Sequence, residues 1–335
     1  MTPDLNEFNP PAATLPEPPP LFHKTTFLNE IKPGTGTDTG YFQITETAVK
    51  TASNGKLYLD LTLADRTGQV NGKQWDIKPD HVPFPAGSIV KVEFAPELFR
   101  DALQLKVYGM RLVDRGSVAM EDYLPASKRD RAEMFSELHA WLAEIQDAEL
   151  ILALDSILNN LHPQLLDAPA AMKKHQAYLG GLLEHILRLL HLAKRLSEVY
   201  PDLNRDVLYA GCILHDIGKV VELRYDGQID YTIEGSLLGH IAQGLALWSE
   251  YTPDLDPVLR HHINHVIASH HGQLEFGALK PPMTREAQLF HLLDMIDSRY
   301  EMFTNAVAGG VDANGLTGWQ KDLGVRVWNG QQRTE

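Results

Sequence analysis

The stretch Leu214-His215-Asp216-Ile217-Gly218-Lys219 closes an apolar run that begins near Val207 and sets an imidazole beside a carboxylate. Adjacent residues on an α-helix point about 100° apart, so both can reach one cation only where the helix ends or turns. Gly218 is the expected break. A His-Asp dipeptide by itself most often marks a helix end with a solvated carboxylate. Here it has company: His185 lies in an amphipathic segment, His240 follows, then the pair His270-His271, then Asp294, each beside an apolar stretch. An unpaired buried polar group costs roughly 1–3 kcal/mol and a charge more, so such a set in apolar helices needs a common partner. A divalent cation is the simplest one.

Spacing of apolar residues indicates the elements that must position these groups. After Gly180-Gly181, residues Leu182, Leu183, Ile186, Leu189, Leu190, Ala193 and Leu196 recur at helical intervals around His185. Upstream, Met134, Leu138, Trp141, Leu142 and Ile145, then Ile151, Leu154, Ile157, Leu158 and Leu161, repeat at the same period. From about Phe22 to Val113 the period is two: Leu57, Leu59, Leu61 and Leu63 alternate with polar residues, as do Val90, Val92 and Phe94, and Leu103, Leu105 and Val107. Turn signals at Ser53-Asn54-Gly55, Asp65-Arg66-Thr67-Gly68 and Pro85-Ala86-Gly87 separate such runs. Five short strands in this span suggest a small barrel.

Across 335 residues there is room for two domains. No apolar run approaches the roughly 20 residues of a membrane span and no secretion signal opens the chain, which points to a cytoplasmic protein without a membrane partner. The single cysteine, Cys212, excludes an intramolecular disulfide and sits in an apolar run as a buried packing residue. A formal charge of −14 argues against holding nucleic acid by bulk electrostatics. Bound cations would offset that charge locally, and single strands can also be held by stacking on aromatics. His261, His262, His265, His270 and His271 place five imidazoles in eleven residues, a density suited to transition metals. His265 is a candidate to orient a ligand through its other ring nitrogen, and His261 and His262 to lie at the surface. His139, His162 and His191 are read as ordinary helix or loop residues.

The order His185, His215-Asp216, Asp294 resembles the metal-dependent phosphohydrolases of the HD superfamily. The words Gly180-Gly181-Leu182-Leu183-Glu184-His185, Leu208-Tyr209-Ala210-Gly211, Glu234-Gly235-Ser236-Leu237-Leu238-Gly239-His240, Ser269-His270-His271-Gly272 and Leu293-Asp294-Met295-Ile296-Asp297 narrow the resemblance to the YhaM family of bacterial 3′→5′ exoribonucleases. The segment from Gly55-Lys56-Leu57-Tyr58-Leu59 to Trp75 resembles the OB-fold module that binds single-stranded nucleic acid. The fold implied is a multidomain α+β chain. A Pro-rich tail (1–21, with seven prolines in its first twenty residues) precedes a five-stranded OB-type barrel (22–115), a helical connector (116–170), an all-α HD domain (171–308) and a C-terminal tail (309–335) that ends near an amphipathic pattern.

From the resemblance, His185, His215, Asp216 and Asp294 would hold one cation. Members of the superfamily with one ion need only these four; where a second binds, His240, His270 and His271 would hold it, with Asp216 as the bridge and as a catalytic residue. Such paired cations activate a water toward phosphorus, and Lys219 would neutralise a phosphate oxygen. Manganese is the family expectation, and iron, nickel, cobalt or zinc also suit mixed imidazole and carboxylate ligands. Tyr41, Phe42, Tyr58 and Trp75 are candidate stacking residues, with Lys50, Lys56 and Lys73 for phosphates. Tyr41 and Phe42 face opposite ways on one strand, so only one of them can meet a base. The family pattern has two adjacent histidines where this chain has His175-Gln176. Asp297 and Arg299 are candidates for an ion pair at the pocket edge. The implied activity is 3′→5′ hydrolysis of single-stranded RNA, with single-stranded DNA and a homo-oligomer as further possibilities. Two other readings compete. A small-nucleotide phosphohydrolase leaves the barrel without a task, and Gln273-Leu274-Glu275-Phe276-Gly277 lacks the Gly-Tyr-Pro word of the cyclic-dinucleotide subfamily; a non-catalytic single-strand binder leaves the ligand set unexplained.

Overall fold

The computed structural model describes residues 21–100, 102–172, 177–225, 229–252 and 254–330. The proline-rich stretch 1–20 and the His175-Gln176 position lie outside them. Strands β1 (Asp38–Thr51), β2 (Leu57–Asp65), β3 (Gly68–Trp75), β4 (Ile89–Phe99) and β5 (Ala102–Leu112) close a barrel in the order β1-β2-β3-β5-β4, with β3 and β5 parallel. The alternating leucines suggest a small barrel and the resemblance gives its OB type, and the closed five-stranded order agrees with both. Leu59, Leu61 and Leu63 point inward with Val90, Val92, Phe94, Leu105 and Val107. Asn54-Gly55 turns β1 into β2 and Arg66-Thr67 turns β2 into β3, Gly55 taking a left-handed φ of 82°.

A strap before β1 is tied to the barrel by a buried carboxylate. Asp65 accepts from Lys24 Nζ, from the Leu28 N–H at 2.8 Å and from the Thr67 N–H at 2.8 Å. Both members of the Lys24–Asp65 pair are essentially inaccessible to water, with side-chain exposures of 1% and 0%. Removing one partner of a buried pair leaves an uncompensated charge and costs about 3–5 kcal/mol. Lys24→Met is therefore expected to lower the unfolding free energy measured by urea denaturation by an amount of that order, and a value equal to the parent's would show that the pair contributes nothing.

The rest of the chain is helical: α1 (Arg131–Ala140), α2 (Ala148–Asn160), α3 (His162–Asp167), α4 (Gly181–Val199), α5 (Arg205–Leu214), α6 (Lys219–Glu222), α7 (Ile233–Ser249), α8 (Pro257–Ser269) and α9 (Arg285–Ala308). Asp130, Asp147, Asn204, Thr232, Asp256 and Thr284 cap the N-termini of α1, α2, α5, α7, α8 and α9 by accepting a backbone N–H. One apolar cluster runs from Met134 on α1 and Leu154 on α2, through Leu182, Ile186 and Leu190 on α4, to Leu208, Val266 and Phe290. The connector helices α1–α3 thus share a core with α4–α9. Beyond α9 the chain forms two isolated antiparallel bridges, Leu316 with Trp328 and Gln320 with Val325. Among the described residues no helix is long and apolar enough to cross a membrane.

Candidate metal centre

Helix α5 is buried along its whole length from Val207 and stops at Leu214, which leaves His215 as its C-cap and Asp216 in the turn that follows. That turn is what lets neighbouring residues face one point. His215 Nε2 lies 3.2 Å from His185 Nε2 on α4 and 3.2 Å from Asp216 Oδ2. Asp294 on α9 brings Oδ1 to 3.2 Å from the same His185 nitrogen. A second group gathers on the other side of Asp216, whose Oδ1 is 3.3 Å from His240 Nε2 on α7 and 3.7 Å from His270 Nε2 at the end of α8. The ligand atoms of His185, His215 and Asp216, and separately those of His240, His270 and His271, lie within 4.8 Å of one another. All seven residues singled out as metal-ligating therefore meet, with one oxygen of Asp216 turned to each group.

The far nitrogens are held from behind, which aims the near ones. His215 Nδ1 bonds the Cys212 carbonyl at 3.2 Å and His270 Nδ1 the Ile267 carbonyl at 2.7 Å. His240 Nδ1 lies 3.2 Å from Glu222 Oε1, and the His240 N–H donates to that oxygen at 2.9 Å. This N–H is available because Gly239, at φ 72°, breaks the helical path inside α7. Glu222 was not foreseen from sequence. Nothing in its local pattern marks it, since α6 is a four-residue helix whose packing against α7 is a tertiary event.

Gly218 has a different task from the one expected. Its φ of −63° is right-handed, so it does not break the helix. A Cβ there would run into the His240 carbonyl oxygen, and the glycine lets the α5–α6 turn press onto α7. One further expectation is corrected. His265 Nε2 accepts the Met283 N–H at 2.7 Å and so pins the segment before α9 instead of orienting a ligand. Asp297 bonds His185 and Arg188.

Four buried atoms among the candidate ligands have no hydrogen-bond partner: Asp216 Oδ1, His240 Nε2, His270 Nε2 and His271 Nδ1. Leaving so many buried polar atoms unmatched is costly for a folded chain, and mixed imidazole and carboxylate donors suit a divalent cation. The residues fit such an ion. Burial, reinforced by the neighbouring His215 and His271, holds the His270 imidazole well below its ordinary range, and burial with His240 lowers His271. Both are then neutral, as a ligand must be. Burial would raise Asp216, but Lys219 and His215 outweigh it and keep this carboxyl ionised. His185 behaves oppositely. Burial alone would lower it, but bonds to Asp294 and Asp297 raise it to about 9 in the metal-free protein. Below that pH a proton occupies the imidazole that a cation needs. Cation affinity is therefore expected to climb with pH through the neutral range and to flatten above about 9, with proton release on binding. Calorimetry in buffers of different ionisation enthalpy measures that release, and none at about pH 7 would contradict the assignment.

On the barrel, Phe42 is 1% exposed and packs edge-on against Phe94 in the core, so it cannot meet a base. Tyr41 lies on the outer side, with its ring 4.7 Å from that of Phe22. Tyr58 and Trp75 are cross-strand neighbours with ring centroids 4.8 Å apart, and Lys73 Nζ sits 5.2 Å from the first and 5.7 Å from the second. Phe99, half exposed, joins them at 5.4 Å from the same ammonium; its position across the barrel seam hid it from a strand-by-strand reading. Lys56 pairs with Asp76 at 2.7 Å and Lys50 with Asp60 at 2.5 Å, both lysines exposed.

Fold and site together define a barrel-bearing protein of the HD class: residues 182–299 match the family model described as HD domain. The chain is 37% identical over 262 residues to the 3′-5′ exoribonuclease YhaM of Geobacillus sp. (strain WCH70), covering 76% of this chain and 80% of that one. Against the 3′-5′ exoribonuclease YhaM of Bacillus subtilis (strain 168) it is 36% identical over 273 residues, 80% of this chain and 86% of that one. It belongs to the YhaM 3′-5′ exoribonuclease family. The solution structure of the second OB-fold domain of replication protein A from Methanococcus maripaludis aligns with 28% of this chain and 96% of its own, at 16% identity and a TM-score of 0.23.

Proposed function

We propose that the protein removes nucleotides from the 3′ end of single-stranded RNA by hydrolysis, releasing nucleoside 5′-monophosphates. The observation that carries this reading is the division of Asp216 between two ligand groups, together with family membership. In this reading His185, His215, Asp216 and Asp294 hold one divalent cation and His240, His270, His271 and Asp216 a second, with manganese as the expected metal. When bound, paired cations supply Lewis-acid activation of water and charge neutralisation at phosphorus.

The chain's own groups do the rest. Bonds to Asp297, Glu222 and two backbone carbonyls keep the imidazoles aimed inward. Lys219 Nζ, 2.5 Å from Asp216 Oδ2 and mostly buried, is placed to meet a non-bridging phosphate oxygen. Tyr58, Trp75, Lys73 and Phe99 offer the barrel's stacking surface for the strand, a role single-strand binders give to aromatic side chains beside cations.

Single-stranded RNA labelled at one end or the other, incubated with the protein and Mn²⁺, tests the reading. Label at the 3′ end should appear at once as mononucleotide, while 5′-labelled RNA shortens stepwise. Inertness toward RNA with turnover of free nucleotides, or binding without turnover, would overturn it.

A further inference from the structure

His185 is braced from a direction the ligand set does not explain. Its Nδ1 lies 2.8 Å from Asp297 Oδ2, and the other oxygen of Asp297 accepts from Arg188 at 3.4 Å. The same guanidinium donates to Glu301 at 2.6 Å and to Glu184 at 2.6 Å. Glu184 in turn accepts from Ser127 Oγ at 2.8 Å, in the segment between barrel and α1, and from the Tyr178 hydroxyl at 3.0 Å. Arg188 follows His185 on α4 by one turn, and Asp297 and Glu301 stand one turn apart on α9.

We propose that Arg188 is a positioning residue for the metal centre, acting through Asp297 to fix the ring of His185. This rests on the proposed reading of His185 as a ligand. A carboxylate bonded only to an imidazole can turn about its own axis and take the ring with it; anchoring its second oxygen removes that freedom. Arginine suits the task because its planar fork presents donors in fixed directions, so that one group meets Glu184, Glu301 and Asp297 together. It also supplies the positive charge that lets three carboxylates with side-chain exposures of 18%, 13% and 5% share one place. Lysine would keep the charge and lose the fork.

Mn²⁺ titration calorimetry of the full chain, alongside melting of the metal-free protein, tests the proposal. Arg188→Lys and Asp297→Asn are each expected to weaken Mn²⁺ binding by roughly 10–100-fold, the cost typical of losing a group that orients a ligand. Combined, they should cost little more than the worse of the two, because both act along one path. Lys194→Gln, on the same helix and bonded to Glu144 at 3.0 Å, should leave affinity unchanged. Should the lysine variant melt before assay, Asp297→Asn, which leaves Arg188 paired with Glu184 and Glu301, carries the test of the same path alone. Parental affinity in either single variant, with or without a lower metal-free melting temperature, overturns the proposal, as do losses that add in the double variant. Failure of the unmodified chain to bind Mn²⁺ would instead remove the ligand reading on which it stands.

Discussion

Asp216→Asn is expected to lower RNA turnover on the order of a thousandfold or more while the metal-free chain keeps its melting temperature within a few degrees. Removing a single donor that stabilises developing charge costs roughly 10²–10³-fold in other enzymes, and here one carboxylate faces two ligand groups. Its Oδ2 stands 3.2 Å from His215 Nε2 and its Oδ1 3.3 Å from His240 Nε2. An asparagine is nearly isosteric but offers one oxygen and no charge, so at most one group keeps its partner. The fold should tolerate the change because asparagine fills the same volume, and Lys219, which loses its ionic partner, keeps a partly solvent-exposed ammonium. Turnover on 3′-labelled RNA and circular dichroism melting measure the two halves. An active variant would remove Asp216 from the chemistry, and an unfolded one would make its role structural.

Replacing Tyr58 and Trp75 together by alanine is expected to weaken binding of long single-stranded RNA by about a hundredfold, since base–aromatic stacking contributes roughly 1–3 kcal/mol per base. The two rings lie against each other with Lys73 beside them, and Trp75 is 42% exposed. Cleavage of dinucleotides, which leave almost no strand for the barrel to hold, should stay close to the parental rate. Fluorescence anisotropy gives the first quantity and short-substrate kinetics the second. Phe42→Leu is the internal control: Phe42 lies in the core, so this variant should lose stability and keep affinity. Equal losses on long and short substrates would detach the barrel from strand holding.

Much of this architecture was legible because the chain obeys local rules. Alternating leucines in β2 and β4's Val90, Val92 and Phe94 announce inward faces, and helical spacing around His185 announces α4. The seven candidate ligands were legible as words in a family pattern; periodicity alone would have left His185 as a core histidine. Three things were hidden. Glu222 and Asp297 matter through side chains that arrive from other helices, which no linear spacing encodes. Gly218 looked like a helix breaker because glycine often is one, whereas its lack of a Cβ is what α7 requires. Tyr58 falls between the inward leucines of β2 and so reads as outward, whereas for the neighbours Tyr41 and Phe42 only the closed barrel decides that Phe42 is the one sealed inside.

Electron paramagnetic resonance during Mn²⁺ titration of the metal-free chain tests the shared-carboxylate arrangement most directly. The expected result is binding of two ions per chain, with the second producing a spin-coupled spectrum that Asp216→Asn converts to uncoupled Mn²⁺. A single uncoupled ion at saturation, or a coupled spectrum that survives in Asp216→Asn, would contradict it.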